Sequence, residues 1–490
     1  MLLWSLATPL GAVPDEPAHA VRAAAVVRGQ VTSGPWSQDP RFAEVNVPNY
    51  VRHMEALTCY AFHPEVSAGC MRPVTGDPNA IVSTGTSAAV NSPAYYAIVG
   101  LPTLVMHGTP ALYAMRGVSA VLCAAALAIM IMMLMQLQRW RWALVATTVG
   151  VTPMVLFLCG AINPNGLEIA SAGALLATLT VTFRLPTSGW ILWERAALVV
   201  LSSGLLVSTR NIALLWVVVI IAASLLLADM SLVRRLLRKP AAWVALAVSA
   251  AILGLTLAWY AHPPQLATQV YAGTNTNPAV AFVNMLINTF DYSNGYVGLF
   301  GWVDTPSPLF STIAWSAAIV ALLVAVFIWG SRRGRLVVLG LSVVLVLVPP
   351  IVQALVISQM GYIWQGRYML AMLVCLLVAC GIAIDDARGD ALVLPLRRVL
   401  AVGLTLLVVG QVFSFWWALR RYVVSVNGGI RDMLVAPQWQ PPLGWITLTA
   451  LLAIVTALGA WLVFRVIVRA EPALVTAPKN DAIAASLADL

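Results

Sequence analysis

Apolar runs and polar breaks alternate along almost the whole chain. Runs of span character lie at about 117–137, 142–160, 165–183, 196–209, 211–228, 241–259, 309–330, 336–354, 368–384, 399–418 and 445–464. Crossing a bilayer takes about 20 apolar residues as a helix. A shorter run, Met1–Val13, precedes Pro14. It is too short to cross alone, and reads as a thin anchor or as a first span truncated by a late start codon. It has neither the basic leading region nor the small-residue cleavage site of a signal peptide. Counting it, the pattern predicts about twelve spans.

The polar breaks divide the chain. Residues 1–13 form the short first span, and 14–116 a large outer loop with amphipathic helices that roofs a site. Residues 117–259 form a transmembrane bundle, 260–308 an aromatic-rich outer loop, and 309–469 a second bundle. Residues 470–490 read as a flexible cytoplasmic tail. No repeat of fixed period is present.

Composition narrows the class. Only 10% of the 490 residues are charged, 60% are hydrophobic, and the mean hydropathy is +0.87. Soluble domains carry about 25% charged residues, so a soluble enzyme, a secreted domain and a disordered chain are excluded. The runs do not alternate in the manner of barrel strands. The predicted class is all-α, a polytopic helical membrane protein. A net charge of +9 points to nucleic acid only in a soluble protein, and no nucleic-acid partner is expected here. The segments 139–141, 184–195, 234–239, 332–335, 388–398 and 465–479 hold 17 of the 28 Lys and Arg. The positive-inside rule makes that side cytoplasmic.

The other side receives all five histidines and 11 of the 19 acids, seven of them in the first loop. Chemistry is expected to face outward, although the longest loop collects polar residues in any case. Cys123, Cys159, Cys375 and Cys380 fall within spans and read as packing residues. Cys59 and Cys70 lie in the outer loop, where an oxidising exterior permits a structural disulfide. No cysteine pair has zinc-cluster spacing.

Four segments carry candidate chemistry. In Pro14-Asp15-Glu16-Pro17-Ala18-His19, Pro17 suits the first turn of a helix over 17–30 lying on the membrane, capped by Asp15 or Glu16. Asp15, His19 and Arg22 then share one face, a set suited to proton abstraction beside an anion. An acidic cap with a solvated face explains the same spacing. In Gln365-Gly366-Arg367-Tyr368, Arg367 enters an apolar helix with no neighbouring acid. Charges there tend to mark a site, and a guanidinium takes a phosphate bidentately; snorkelling to headgroups is the plainer alternative. Arg210 is similarly placed between two spans, and Arg116 and Arg420-Arg421 more weakly so. The loop 260–308 carries Tyr260, Tyr271, Phe290, Tyr292, Tyr296, Phe300 and Trp302, rings that stack on sugars and equally populate membrane interfaces. In it, Asp304 either orients a substrate hydroxyl or caps the next helix. Asn163-Pro164-Asn165-Gly166 reads as a turn, followed by Glu168, which faces the site or pairs with an arginine.

A short first span, a large outer loop opening with acids, Ser92-Pro93-Ala94-Tyr95-Tyr96 and an arginine leading a span resemble the GT-C superfamily of membrane glycosyltransferases. The segments 14–19, 163–166, 300–306 (Phe-Gly-Trp-Val-Asp-Thr-Pro) and 366–368 together resemble, over nearly the whole chain, a bacterial GT-C-like family of unknown function. That resemblance implies a GT-C-like fold in the bacterial plasma membrane. It also implies an inverting sugar transfer at the outer face, from a polyprenyl-phosphate donor to a glycan or lipid-linked acceptor of the cell envelope. The base would be Asp15 or Glu16. His19, Arg22, Arg210, Asp304, Arg367 and Tyr368 would bind substrate, with Arg367 on the lipid phosphate. Some GT-C enzymes use a divalent metal and others do not; Asp15, Glu16 and His19 are the residues that would share one here, and none is assigned. Where that family often has Asp, this chain has Asn165, so catalysis is not placed there. The rival reading is a lipid-linked sugar flippase or transporter, which also needs many spans and buried cations. Transporters more often show repeat halves and broken helices at the midplane.

Overall fold

The computed structural model describes residues 1–289 and 294–469. The expected tail from 470 onward, with Phe290 and Tyr292 of the aromatic loop, lies outside the described residues.

Among the described residues nine helices are long and apolar enough to cross a membrane. Two bent pairs, Arg141–Gly150 with Pro153–Cys159 and Ala213–Leu227 with Met230–Leu236, bring the number to eleven if each is one span. The apolar pattern predicts about twelve. Much of the difference is local geometry. Pro153 opens a new helix after Thr152, and the pair bends by 71°. Asp229 caps the second break, which turns by 117°. The first segment forms only a six-residue helix, Leu2–Ala7, about 9 Å long at 1.5 Å per residue.

Two helices form the centre. Pro164–Arg184 and Gly366–Ala387 are 94% buried over their most apolar window, whereas Trp445–Arg469 is 11% buried. Pro164–Arg184 is rich in Ala, Gly, Ser and Thr, and Gly366–Ala387 carries several Ala with Gly381, which lets backbones approach closely. The outlying helices present Leu, Ile, Val and Trp outward, as lipid-facing surfaces do.

The helix ends sort into two groups. At one end Arg184 pairs with Asp386, the Asp229 amide donates to Phe183, and the Ser331 amide donates to Ala383. This basic end carries the Arg-rich connections. The opposite end, the loop end, carries residues 14–107 and the described parts of the next long connection, 262–289 and 294–308.

The first loop is not purely helical. Strands Ala43–Pro48 and Ile81–Thr86 pair antiparallel, Ala43 opposite Thr86 and Pro48 opposite Ile81. Val45 and Val47 alternate inward, a two-residue period that a helical reading overlooks. The helix expected over 17–30 runs over Glu16–Val26. It does not lie on the membrane: Ala20, Ala23, Ala24 and Ala25 are fully buried beneath the helix Pro93–Val99 and the strands. Neither acid caps it through its side chain. The span expected from 117 begins at Gly108, which places Arg116 inside the helix Gly108–Leu134.

Candidate functional site

Asp15 and Glu16 are neighbours in sequence and point into different surroundings. Glu16 is sealed. Its carboxylate accepts from Arg116 Nε at 2.7 Å and Nη2 at 2.6 Å, and from the amides of Gly11 at 3.0 Å and Ile162 at 3.1 Å. Arg116 completes its five donors on the carbonyls of Ser5, Thr8 and Pro9, each at 2.7 Å. Both side chains are 0% exposed. Every lone pair and proton of the pair is used, so Glu16 is a structural bolt between the N-terminal segment and two helices. The base role expected of it as an alternative to Asp15 has no free acceptor to act through.

Asp15 is open. Its backbone is left-handed, φ 65°, uncommon for a residue with a side chain. The turn aims its carboxylate away from the helix it precedes, and its side chain is 55% exposed. Its partner is Arg367 Nη2 at 3.0 Å. Arg367 is itself buried, and its Nε and Nη1 have no hydrogen-bond partner among the described residues. Buried guanidinium donors left unsatisfied are expensive, and here two donor nitrogens are so left on the partner of an exposed acid.

The scaffold beneath Arg367 is rigid. Gln353, buried in the helix Arg332–Met360 just after Pro349-Pro350, donates to the Gly361 carbonyl at 2.8 Å and accepts from the amides of Ile363 and Trp364. Gly361 adopts φ 76°, which a side chain would resist. The chain then makes the turn Gly366–Met369 and enters the central helix. A polar residue in an apolar run is the signal that marks Gln353 in the sequence; it was not among the expected site residues.

Arg210 and Arg367 share one ring. Their guanidinium carbons lie 4.4 and 5.4 Å from the centroid of Tyr368. Arg210 reaches Glu168 at 3.8 Å, an ion-pair distance too long for a hydrogen bond, while Trp216 Nε1 donates to Glu168 at 2.8 Å. Asn163 donates to the Pro14 carbonyl at 3.0 Å and caps its own helix through the Asn165 amide. The turn 163–166 therefore holds the acidic segment in place.

His19 stacks on Tyr96 and shares a 2.8 Å hydrogen bond between Nδ1 and its hydroxyl. Burial lowers the imidazole pKa to about 4; Asp15 opposes the shift, and Arg210 and Arg367 add to it. His19 is neutral near pH 7. Asp15, His19, Arg210, Arg367 and Tyr368 thus gather in one place. Arg22 adjoins them through Tyr96, buried, with Nε and Nη2 unpartnered and its guanidinium 5.6 Å from the Trp259 ring.

Asp304 sits elsewhere. It accepts from Arg421 Nη2 and the Phe62 amide, each at 3.1 Å, and from Thr305 Oγ1 at 2.8 Å. Arg421 also donates to the carbonyls of Tyr60, His63 and Val66. Those carbonyls belong to the loop closed by the Cys59–Cys70 disulfide. Trp302 Nε1 donates to the Gly11 carbonyl, and Phe300 packs against Trp4. The segment 300–306 clamps the N-terminal region, and Asp304 is occupied in that clamp instead of lining the Arg367 site; no helix cap forms from it either.

A cavity of about 370 Å³ opens beside Arg367, lined among others by Met154, Asn288, Gly295, Trp364 and Gln365. Gln365 Oε1 is buried without a partner among the described residues. Among the described residues no group of three or more His, Cys, Asp or Glu is placed to hold a metal ion. Glu16 turns away from Asp15 and His19 into its pair with Arg116, so the three residues suggested as a shared metal site do not converge.

No curated protein and no solved structure matches the chain. Residues 1–376 match a family described as a predicted membrane protein (DUF2142), and the chain belongs to that family.

Proposed function

We propose that this DUF2142 protein is a membrane glycosyltransferase of GT-C type. It would move a sugar from a polyprenyl-phosphate donor to a glycan or lipid-linked acceptor at the extracytoplasmic face of a bacterial plasma membrane. The loop end is the extracytoplasmic end on the positive-inside rule. One observation carries the reading: an exposed carboxylate, Asp15, paired with a buried guanidinium, Arg367, two of whose donor nitrogens are unpartnered. Such an arginine is ready for an anion larger than the acid it holds.

In the proposed reaction the acceptor hydroxyl oxygen attacks the anomeric carbon of the donor sugar. The bond from that carbon to the phosphate oxygen breaks, and its electron pair stays on the phosphate. The hydroxyl proton passes to Asp15. Arg367 and Arg210, both within cation–π distance of Tyr368, take the growing phosphate charge. Phosphate binding on Arg367 also withdraws the counter-ion of Asp15 at the moment a base is needed. Neutral His19 adds no positive charge to compete for the phosphate.

The test is purified protein in liposomes with a panel of polyprenyl-phosphate sugars and crude envelope acceptor, following release of free polyprenyl phosphate. Release is expected, with Arg367→Lys weakening donor binding about tenfold because a point charge replaces a fork. Movement of labelled lipid-linked sugar between leaflets with no release would establish the flippase instead.

A further inference from the structure

A larger cavity lies apart from the Asp15–Arg367 pair. It encloses about 490 Å³ between the helices Gly189–Val207 and Pro240–Ala261. Its walls are nearly all apolar, running from Trp193 and Val244 near the basic end to Ser208, Ile252 and Tyr95 near the loop end. From 193 to 208 the groove follows fifteen residues of helix, roughly 22 Å at 1.5 Å each. That is most of a hydrocarbon core about 30 Å thick. The two walls close on each other at Gly204, where an added Cβ would lie 3.2 Å from Ile252 Cδ1. Ala197 and Val248 on its rim are exposed on the protein surface, so the groove is open toward lipid.

Both ends carry arginines, and they differ in how fully those arginines are matched. Above Ser208 stands Arg210, whose Nη1 makes no hydrogen bond among the described residues and reaches Glu168 only at 3.8 Å. Above Ile252 the same wall helix ends in Trp259, the ring beneath Arg22, and Tyr260, a phenol whose buried hydroxyl lies beside the Ser92 backbone. Arg22 contributes two more buried, unpartnered nitrogens, and Tyr96 lies within electrostatic reach of both Arg22 and Arg210. At the Trp193 end the buried Arg195 is more fully matched: Nη1 donates to the Leu185 carbonyl and Nη2 to Gln136, and only its Nε lacks a partner among the described residues. An apolar slot whose loop end carries the unmatched nitrogens of Arg22 and the loosely paired Arg210 fits a single-chain lipid with an anionic head.

We infer that the groove between Gly189–Val207 and Pro240–Ala261 is the bilayer entry and seat of an isoprenoid-phosphate lipid, its chain along Ala197, Leu201 and Val248 and its phosphate under Arg22, Tyr260 and Arg210. This rests on the polyprenyl-phosphate reading above and adds a location to it. It assigns Arg22 and Tyr260 to recognition of the phosphate and makes Arg210 the residue shared by the groove and the Arg367 site.

The test is photo-crosslinking of the full-length protein in nanodiscs with a polyprenyl phosphate bearing a diazirine near the chain end, mapped by peptide mass spectrometry. Label is expected on the helices 189–207 and 240–261. Unlabelled polyprenyl phosphate should compete; the neutral polyprenol, inorganic phosphate and phosphatidylglycerol should not. Ala197→Trp and Val248→Trp, both on the lipid-facing rim, should each reduce labelling about tenfold with the melting temperature unchanged. Tyr260→Phe, which deletes one hydroxyl, should weaken competition by the phosphate and leave polyprenol without effect; Arg22→Gln should do so more strongly. Label spread evenly over lipid-facing helices, or equal competition by phosphatidylglycerol or polyprenol, would overturn the inference. Labelled groove without sugar transfer would overturn the transferase reading alone. Transfer with the label mapped elsewhere would overturn the groove alone.

Discussion

Glu16–Arg116 and Asp15–Arg367 are two acid–arginine pairs built on consecutive residues, and they are opposites. In the first, five guanidinium donors and a carboxylate accepting four bonds are all matched, with neither side chain exposed. In the second, one bond joins an exposed acid to a buried arginine whose Nε and Nη1, three N–H donors, are left over among the described residues. Chemical type and sequence position are nearly the same. The left-handed turn at Asp15 separates them, sending successive carboxylates to different partners. A saturated pair has no capacity for a ligand; an unsaturated one does. A charge in an apolar region is therefore informative only with its full set of partners.

Glu16→Gln should break the sealed pair and have the largest effect. It leaves Arg116 charged and buried without a counter-ion, and a loss of about 3–5 kcal/mol is expected. Melting of the detergent-solubilised protein checks this; a melting point equal to wild type would mean the pair is no bolt. Opening the Cys59–Cys70 loop by a double Ser substitution should come next, about 2–3 kcal/mol, because that loop supplies the carbonyls around Arg421. Free-thiol labelling of both cysteines in unreduced wild type would remove the basis for that expectation.

His19 sharpens the contrast through pH. Its folded pKa is near 4, against about 6.5 in the unfolded chain. The unfolded state binds the extra proton between those values, so stability is full at pH 7 and falls as the pH drops from about 6.5 toward 4. The slope reaches at most about 1.4 kcal/mol per pH unit. His19→Gln should flatten that part of the stability profile; an unchanged profile would mean the imidazole is not held neutral. The smallest effect on stability is expected for Asp15→Asn, within about 1 kcal/mol, since an exposed partner is lost and one oxygen acceptor remains.

The sequence made the membrane class, most of the long helices and the gathering of acids and histidines at one end legible, because hydropathy and charge bias act over whole segments. Arg367, Arg210 and Asp15 were legible as charges at helix mouths. The separate fates of Asp15 and Glu16 were not, since they depend on one backbone angle and on Ile162 and Arg116 far along the chain. Asp304 was misplaced for the same reason: its partners Phe62 and Arg421 come from segments that only the fold brings together. The strand pair in the first loop was hidden because each strand is six residues long and pairs across a 32-residue connection.

The most direct measurement compares release of polyprenyl phosphate by wild-type and Asp15→Asn protein in the same liposomes, with the melting temperature of each recorded. The expected result is release by wild type and none by Asp15→Asn at an unchanged melting temperature. Wild-type release by Asp15→Asn would contradict the role of the open acid and return the Asp15–Arg367 pair to a structural contact.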